Sequence, residues 1–185
     1  MTDSLSCVRT ATGGDREAIL ALHRAAFGDE GAEISALVGS LLDDPTAEPL
    51  LSLVAEESGK LLGHVLFTAV QVVEGAHSVP GQILAPLAVR PDSQGKGIGG
   101  ELTRAGLERL RSAGVGLVFV LGHPSYYPRF GFAPAGGRGL KAPYPIPEPV
   151  SDAWMVQELN PGFLGRVRGV VRCAQALDQA EHWSE

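Results

Sequence analysis

The chain has 185 residues, of which 44% are hydrophobic, and a mean hydropathy of +0.09, so it can bury a sizeable core and is not expected to be disordered. Its formal net charge of −6 argues against a broad nucleic-acid interface, because such surfaces are usually basic. The longest run of apolar or glycine residues, 113–122, is much shorter than the ~20 residues that cross a bilayer.

The N-terminal residues and the cysteines indicate neither a targeting segment nor a redox function. Residues 1–9 lack the basic and apolar stretches of a signal peptide. Two cysteines, Cys7 and Cys173, are too few for a disulfide framework or a cysteine-based zinc site. We therefore expect a cytoplasmic protein with reduced thiols, no bound metal, no membrane association and no nucleic-acid partner.

The first half of the chain predicts a strand, two helices and then three strands. Residues 6–9 form the short first strand, and Thr12–Asp15 has the pattern of a capping box at a helix start. Apolar residues recur at helical spacing over 19–26 and again over 32–42. Further strands are predicted over residues 50–56, 61–73 and 83–89, joined by turns at 57–60 and 74–81. Pro86 in the last strand removes a ladder donor, so a bulge or a local break in pairing is expected there.

The second half predicts a helix and strands separated by glycine- and proline-rich segments. These elements are a helix at about 97–113, a buried strand at 115–121, a short helix at 125–130, a surface loop at 133–149 and a strand at 154–159. Residues after Asn160 predict an edge strand, and 174–185 a helical or frayed tail. We expect one domain over 1–185, with its core at about 5–160 and the edge strand and tail over 161–185.

The most informative segment is LAPLAVRPDSQGKGIGG at residues 84–100, in which a buried strand is followed by glycines at the start of a helix. Residues without side chains let backbone amides approach a ligand closely. A helix N-terminus adds unpaired N–H groups and a partial positive charge. The segment therefore predicts a cradle for a pyrophosphate, with Lys96 at its rim.

Several interpretations of this segment compete. A P-loop requires Ser or Thr after Gly-Lys, but Gly97 follows Lys96. A dinucleotide fold requires G-x-G-x-x-G, which 95–100 matches, but it also requires an acid at the end of the next strand, and that strand ends at Leu121-Gly122. A glycine-rich helix start without a ligand is the remaining structural alternative.

Two motifs together resemble a known family. Gln94-x-x-Gly97-x-Gly99 resembles the acyl-CoA signature of the GNAT superfamily of N-acetyltransferases, and Tyr127–Phe132 resembles its Tyr-x-x-hydrophobic-Gly-Phe segment. The helix and strand between them also match, as does the order of elements from Ser6. The strings GHPSYYPRFGF and WMVQELNPGFLGRVRGVVRC are similar to a bacterial branch called YhbS-like predicted acetyltransferases.

The resemblance implies an α/β, GNAT-type fold, with a mixed central sheet whose splayed middle strands are flanked by helices. Acetyl-CoA, as co-substrate, would lie between the strands at 83–89 and 115–121. Its pantetheine amides would pair with the backbone of Leu87, Ala88 and Val89. Ser125 and Tyr126 would contact the cofactor as well. The pyrophosphate would lie on the loop formed by Gln94, Gly95, Lys96, Gly97, Ile98, Gly99 and Gly100.

The implied reaction is direct attack of an amine on the thioester, with an amine acceptor and acetyl-CoA as partners. A backbone N–H near Leu87 or Ala88 would stabilise the oxyanion. Tyr127 matches the family tyrosine that protonates the departing thiolate, although packing beneath the cofactor would also explain it. The strand 82–89 carries no acidic residue, so the usual base is absent. The open candidates for the base are His64, Glu74, His77, His123 and water.

Other functions and the acceptor stay open at this point. A non-catalytic acyl-CoA-binding module and, less favoured, a dinucleotide-dependent oxidoreductase are the alternatives. The acceptor groove is expected from residues 29–44, 74–81 and 133–149, which have the least regular pattern. Nothing in the sequence identifies the amine, and a homodimer is open.

Overall fold

The computed structural model describes residues 6–184, in which helices pack on both faces of a mixed β-sheet. The helices are α1 at Arg16–Ala26, α2 at Gly31–Asp43 and α3 at Ile98–Ser112. The strands are β1 at Cys7–Thr10, β2 at Leu51–Glu57, β3 at Lys60–Glu74, β4 at His77–Val89, β5 at Leu117–Leu121, β6 at Ala133–Pro134, β7 at Leu140–Lys141, β8 at Trp154–Glu158 and β9 at Gly169–Arg172.

The sheet has the order β1-β2-β3-β4-β5-β8-β6. Every pair in this series is antiparallel except the central pair, β4 and β5, which is parallel. β9 pairs with residues 71–73 of β3, beyond the end of β2, and β7 pairs with β9. The α/β class and the mixed sheet predicted above are confirmed.

Alternation along the strands sends side chains into cores on the two faces. Phe67 of β3 packs against Gly106 of α3, where a Cβ would collide with the ring. Leu66, its neighbour, joins Leu41 of α2 in the core on the other face. Because the side chains of β3 alternate in this way, α3 and the α1–α2 pair are held on opposite faces of the sheet.

Most predicted boundaries agree with the structure to within two residues. The Thr12–Asp15 capping box is present, since the Thr12 backbone N–H donates to the Asp15 carboxylate at 2.8 Å. The predicted turn over 74–81 is wrong, because Glu74 already pairs with His77 around a turn at Gly75-Ala76. Gly75 has φ +60°, a conformation that favours glycine, so the hairpin closes tightly and the strand begins early.

The segments predicted as a surface loop and a tail contribute to the core. Leu140, within 133–149, is 1% exposed, and its carbonyl accepts the indole N–H of Trp154 at 3.0 Å. The strand expected after Asn160 is β9. Trp183 near the C-terminus is 2% exposed and packs edge-on against Trp154, with ring centroids 5.7 Å apart. Residues 174–184 are therefore packed rather than frayed.

Candidate functional site

The central strands separate after a short stretch of pairing. β4 pairs with β5 only from Gln82 to Leu84, although β4 continues to Val89. In the part of the chain that the structure describes, residues 87–89 pair with β3 alone, and Ala85 and Pro86 have no partner in either neighbouring strand. We call the gap between residues 85–89 of β4 and residues 121–122 at the end of β5 the slot. Its β4 wall carries backbone groups without ladder partners, and such groups need another partner when buried.

A bulge at the start of the slot explains the divergence. Val65 of β3 pairs with Leu87, but Phe67 pairs with Leu84, so Ala85 and Pro86 lie in a shifted register. The bulge expected at Pro86 is thus confirmed. A bulge bends and twists its strand, which here directs the end of β4 away from β5.

The glycine loop joins the end of β4 to α3. Gly95 and Gly97 have φ of +78° and +85°, and Gly97 is the N-cap residue of α3. A Cβ at either would meet no atom within 4 Å, so glycine is favoured there by backbone conformation rather than by space. The Gln94 side chain donates from Nε2 to the Val89 carbonyl at 3.1 Å, which ties the loop to the strand end.

A pocket of about 350 Å³ lies over the N-terminus of α3. It brings together most of the residues predicted to hold the cofactor, namely Val89, Gln94, Gly95, Gly97, Ile98, Gly99, Gly100 and Tyr126. The Tyr126 hydroxyl lies 2.9 Å from the position that a Cβ at Gly99 would take. The phenol therefore stands directly over the first turn of the helix.

Other predicted cofactor residues lie outside this pocket. Leu87 adjoins it, with a methyl group 3.7 Å from the Gly99 Cβ position, whereas Ala88 is 3% exposed and points into the core. The side chains of Lys96 and Ser125 are exposed and do not line it. The cofactor roles of these residues remain predictions.

Two arginines that the sequence did not single out line the pocket instead. The Arg104 guanidinium lies 5.1 Å from the centroid of the Phe130 ring, and that of Arg129 lies 4.7 Å from the centroid of Tyr126. Arg104 lies three residues after Glu101 and four before Glu108, yet among the described residues of α3 only Glu108 and Arg111 form an ion pair, at 2.8 Å. The i,i+4 relation of Arg104 to Gly100 was the available signal.

Tyr127 begins a short helical turn, Tyr127–Phe130, that follows β5. Its ring packs against Gly122, where any side chain would collide with it, and contacts Phe132 edge-on at 5.8 Å between centroids. The residue is 9% exposed. Burial, followed by the neighbouring Tyr126, raises the pKa of the Tyr127 phenol well above its usual value. Tyr127 therefore keeps its proton at neutral pH.

His64 is unsuited to act as a base in contact with solvent. It is 0% exposed, and its Nδ1 and Nε2 lie 2.7 Å from His23 Nε2 and 2.8 Å from Ser52 Oγ. Burial, and then His23, lowers the pKa of His64 to about 3, and burial lowers that of His23 to about 4. Both imidazoles are therefore neutral at pH 7.

The three remaining candidates for the base lie in different places. Glu74 and His77 close the β3–β4 hairpin, and His77 precedes Ala85 by eight residues, about 26 Å along an extended strand. Neither can contact the slot. His123 is exposed and directly follows Gly122, and its carbonyl accepts the backbone N–H of Tyr126 at 3.0 Å. Of these candidates, His123 adjoins the slot.

Three side chains of types that can ligate a metal lie close together elsewhere on the surface. Glu33, Glu181 and His182 place ligand atoms within 4.8 Å of one another on the surface of α2 and the C-terminal segment. None of the three lines the pocket. Exposed carboxylates of this kind are common without a metal, so this group has no part in the site.

Comparison with known proteins identifies the family. The model of the GNAT acetyltransferase domain matches residues 7–135. The chain belongs to the GNAT acetyltransferase family. It is 51% identical over 139 residues to the N-acetyltransferase YjhQ of Escherichia coli K12, an alignment that covers 75% of this chain and 76% of that protein.

Two solved structures of GNAT proteins have the same fold. The crystal structure of YhbS from Escherichia coli in complex with CoA matches with a TM-score of 0.86 at 29% identity, covering 97% of this chain and 95% of YhbS. A GNAT acetyltransferase from Brucella melitensis, in complex with acetyl-CoA, matches with a TM-score of 0.74 at 30% identity, covering 95% and 99%. The predicted GNAT-type fold is confirmed, and the dinucleotide-dependent oxidoreductase is set aside. Among the described residues, no helix is long and apolar enough to cross a membrane.

Proposed function

We propose that this GNAT protein transfers the acetyl group of acetyl-CoA to a primary amine of a small molecule or peptide, by direct attack in a ternary complex. The observation that carries the proposal is the slot, which opens onto the same end of the sheet as the glycine loop. A thioester with an amide-rich arm and a pyrophosphate fits both features at once. The bound CoA and acetyl-CoA of YhbS and the Brucella protein support this assignment.

The donor would lie with its pantetheine arm along β4. The arm contains two amides, so it can pair with the free backbone groups of Leu87, Ala88 and Val89 as an additional strand. The pyrophosphate would then lie against the amides of Gly95–Gly99 at the start of α3. These contacts would direct the thioester into the slot, towards the bulge at Pro86.

Acyl transfer requires stabilisation of two developing negative charges. A backbone N–H of the β4 wall, at Leu87 or Ala88, would donate to the tetrahedral oxyanion. The phenol of Tyr127, at the opposite wall beside Gly122, would donate to the sulfur as the C–S bond breaks. Because its pKa is raised, Tyr127 is protonated at every pH at which the enzyme would work.

The attacking amine must be neutral. An alkylammonium of pKa ~10.4 loses its proton at pH 7 at a cost of about 4.6 kcal/mol. We assign His123, through ordered water, as the group that receives this proton, since His64 is buried and Glu74 and His77 are remote from the slot.

The acceptor would approach from the face of the sheet covered by α2. Leu121 and Ala85, at the mouth of the slot, are partly buried there against the same core as Tyr144 and Ile146. The expected contribution of residues 29–44 and 133–149 to the groove is retained as a proposal. That of 74–81 is dropped, because the hairpin tip is remote. The net charge of −6 would favour a cationic acceptor at long range. A cytoplasmic location, a single functional domain over the whole chain and a homodimer remain predictions.

The proposal is tested with purified protein, acetyl-CoA and a panel of primary amines, by measuring thermal stabilisation and release of CoA thiol. We expect a raised melting temperature with acetyl-CoA and thiol release that depends on one class of amine. Binding of acetyl-CoA without turnover on any amine would instead support the non-catalytic acyl-CoA-binding module. Stabilisation by NAD or NADP but not by acetyl-CoA would contradict both.

A further inference from the structure

The two arginines of the pocket are held in place before any ligand arrives. Arg129 donates from Nε to the Tyr126 carbonyl at 2.9 Å and from Nη2 to the Ser125 carbonyl at 3.5 Å, while its guanidinium covers the Tyr126 ring. Arg104 folds back along α3, so that its Nη1 lies 3.0 Å from the position of a Cβ at Gly100. Stacking on Phe130 fixes its plane. Neither guanidinium is therefore free to rotate as surface arginines usually are.

The charges of both groups are available to a ligand. Within residues 6–184, no carboxylate lies within 4.0 Å of Arg104 or Arg129, in contrast to Arg9, Arg16 and Arg90. Arg129 uses Nε and Nη2 for its contacts with carbonyl oxygens, so the N–H groups of its Nη1 can still donate to a ligand. A planar fork of N–H donors is the group that proteins use for phosphate. Two such guanidinium groups at one pocket indicate that the pocket binds a doubly charged anion.

CoA offers one phosphate that the glycine loop does not account for. The proposed function assigns the amides of Gly95–Gly99 to the two phosphates of its pyrophosphate. The third phosphate, on the 3′ position of the ribose, carries nearly two negative charges at pH 7 and lies beyond the pyrophosphate, outside the slot. Arg104 and Arg129 line the same pocket as the loop, next to Gly100 and Tyr126, and their charges are left over once the loop amides hold the pyrophosphate.

We propose that Arg104 and Arg129 bind the 3′-phosphate and thereby select free CoA thioesters as donors. The inference rests on the proposed function. It adds a donor specificity: an acyl group on the phosphopantetheine arm of a carrier protein lacks this phosphate and would be a poor substrate. It also assigns the aromatic rings of Tyr126 and Phe130 to holding the arginines.

The test is the affinity of the intact protein for CoA and for 3′-dephospho-CoA, measured by calorimetry at low and moderate salt. One variant carries both Arg104→Gln and Arg129→Gln. The matched control is Arg111→Gln, since Arg111 lies on the same helix but outside the pocket. Loss of charge-assisted hydrogen bonds should weaken binding roughly 10- to 100-fold. We expect the wild type and the control to prefer CoA by this factor, and the preference to shrink with salt.

The double variant should bind CoA and 3′-dephospho-CoA within about twofold of each other, with the affinity for 3′-dephospho-CoA unchanged. Equal binding of the two by the wild type would overturn the inference and leave the proposed function standing. If the double variant bound CoA and 3′-dephospho-CoA more weakly by the same factor, the inference would also be overturned. The arginines would then support the glycine loop and would not bind the 3′-phosphate. Failure of the wild type to bind CoA at all would overturn the proposed function together with the inference.

Discussion

Tyr127 is the residue on which the departing thiolate depends in this account. Replacing it with Phe keeps the ring against Gly122 and Phe132 but removes the proton donor. We expect kcat to fall by roughly 10²-fold while the Kd for CoA stays unchanged, measured by thiol release and by calorimetry. The unchanged Kd serves as the internal control, because a ring displaced from Gly122 and Phe132 would also disturb the neighbouring pocket. Unchanged kcat in the Tyr127 variant would assign the ring to packing alone.

Replacement of His123 is predicted to lower the rate of acetyl transfer mainly at pH values where the acceptor amine is protonated. For His123→Gln we expect kcat/KM to fall roughly 10-fold or more at pH 7, and by much less at pH 9.5, where the neutral fraction of an alkylamine is larger. His77→Gln, at the remote hairpin, should behave like wild type at both values. An equal loss at pH 7 and pH 9.5 would mean that His123 positions a ligand and does not accept a proton.

At the scale of elements, the conformation of the glycine loop can be separated from its role in binding. Gly97 and Gly114 lie at opposite ends of α3 with φ of +85° and +86°, and a Cβ at either meets nothing within 4 Å. Alanine at each should destabilise the fold by a similar amount, about 1 kcal/mol, because both would hold a left-handed conformation. Only Gly97→Ala should weaken CoA binding. Chemical unfolding measures the stability of the two variants, and calorimetry measures their affinity for CoA. Equal CoA affinities of the two variants would contradict the role of the glycine loop in binding the pyrophosphate.

The loop and α3 could be predicted from the sequence because their signals are local. The glycines at 95–100, the apolar stripe after them and the proline in β4 each specify a turn, a helix or a bulge within a few residues. Arg104 and Arg129 could not be placed in this way. Their position depends on the chain after β5 folding back so that Tyr126 and Phe130 meet α3, which is a long-range contact. The same holds for Leu140 and Trp183, which are buried by contacts with Trp154, a residue distant from both in the sequence.

At the scale of the whole molecule, the buried histidine pair predicts how stability depends on pH. His23 and His64 join α1, β3 and, through Ser52, β2. Burial lowers their pKa values to about 4 and about 3 in the folded protein, against 6.5 when exposed. Unfolding therefore takes up protons below pH 6.5, so the stability is fully present above that pH and is lost as the pH falls towards 4.

Between pH 6.5 and pH 5 the loss should be on the order of 2 kcal/mol for each histidine. This window lies above the titration of ordinary carboxyl groups, so it isolates the pair. Urea unfolding of the wild type at a series of pH values from 7 to 5 measures this loss. A free energy of unfolding that stays constant from pH 7 to pH 5 would contradict the buried neutral pair.

The measurement that tests the central claim most directly is a crystal structure of this protein with bound CoA. We predict that β4 and β5 remain apart after Leu84, that the pantetheine amides pair with the backbone of Leu87–Val89, and that the pyrophosphate lies on the amides of Gly95–Gly99. CoA bound outside the slot, or residues 85–89 paired directly with β5, would contradict the account.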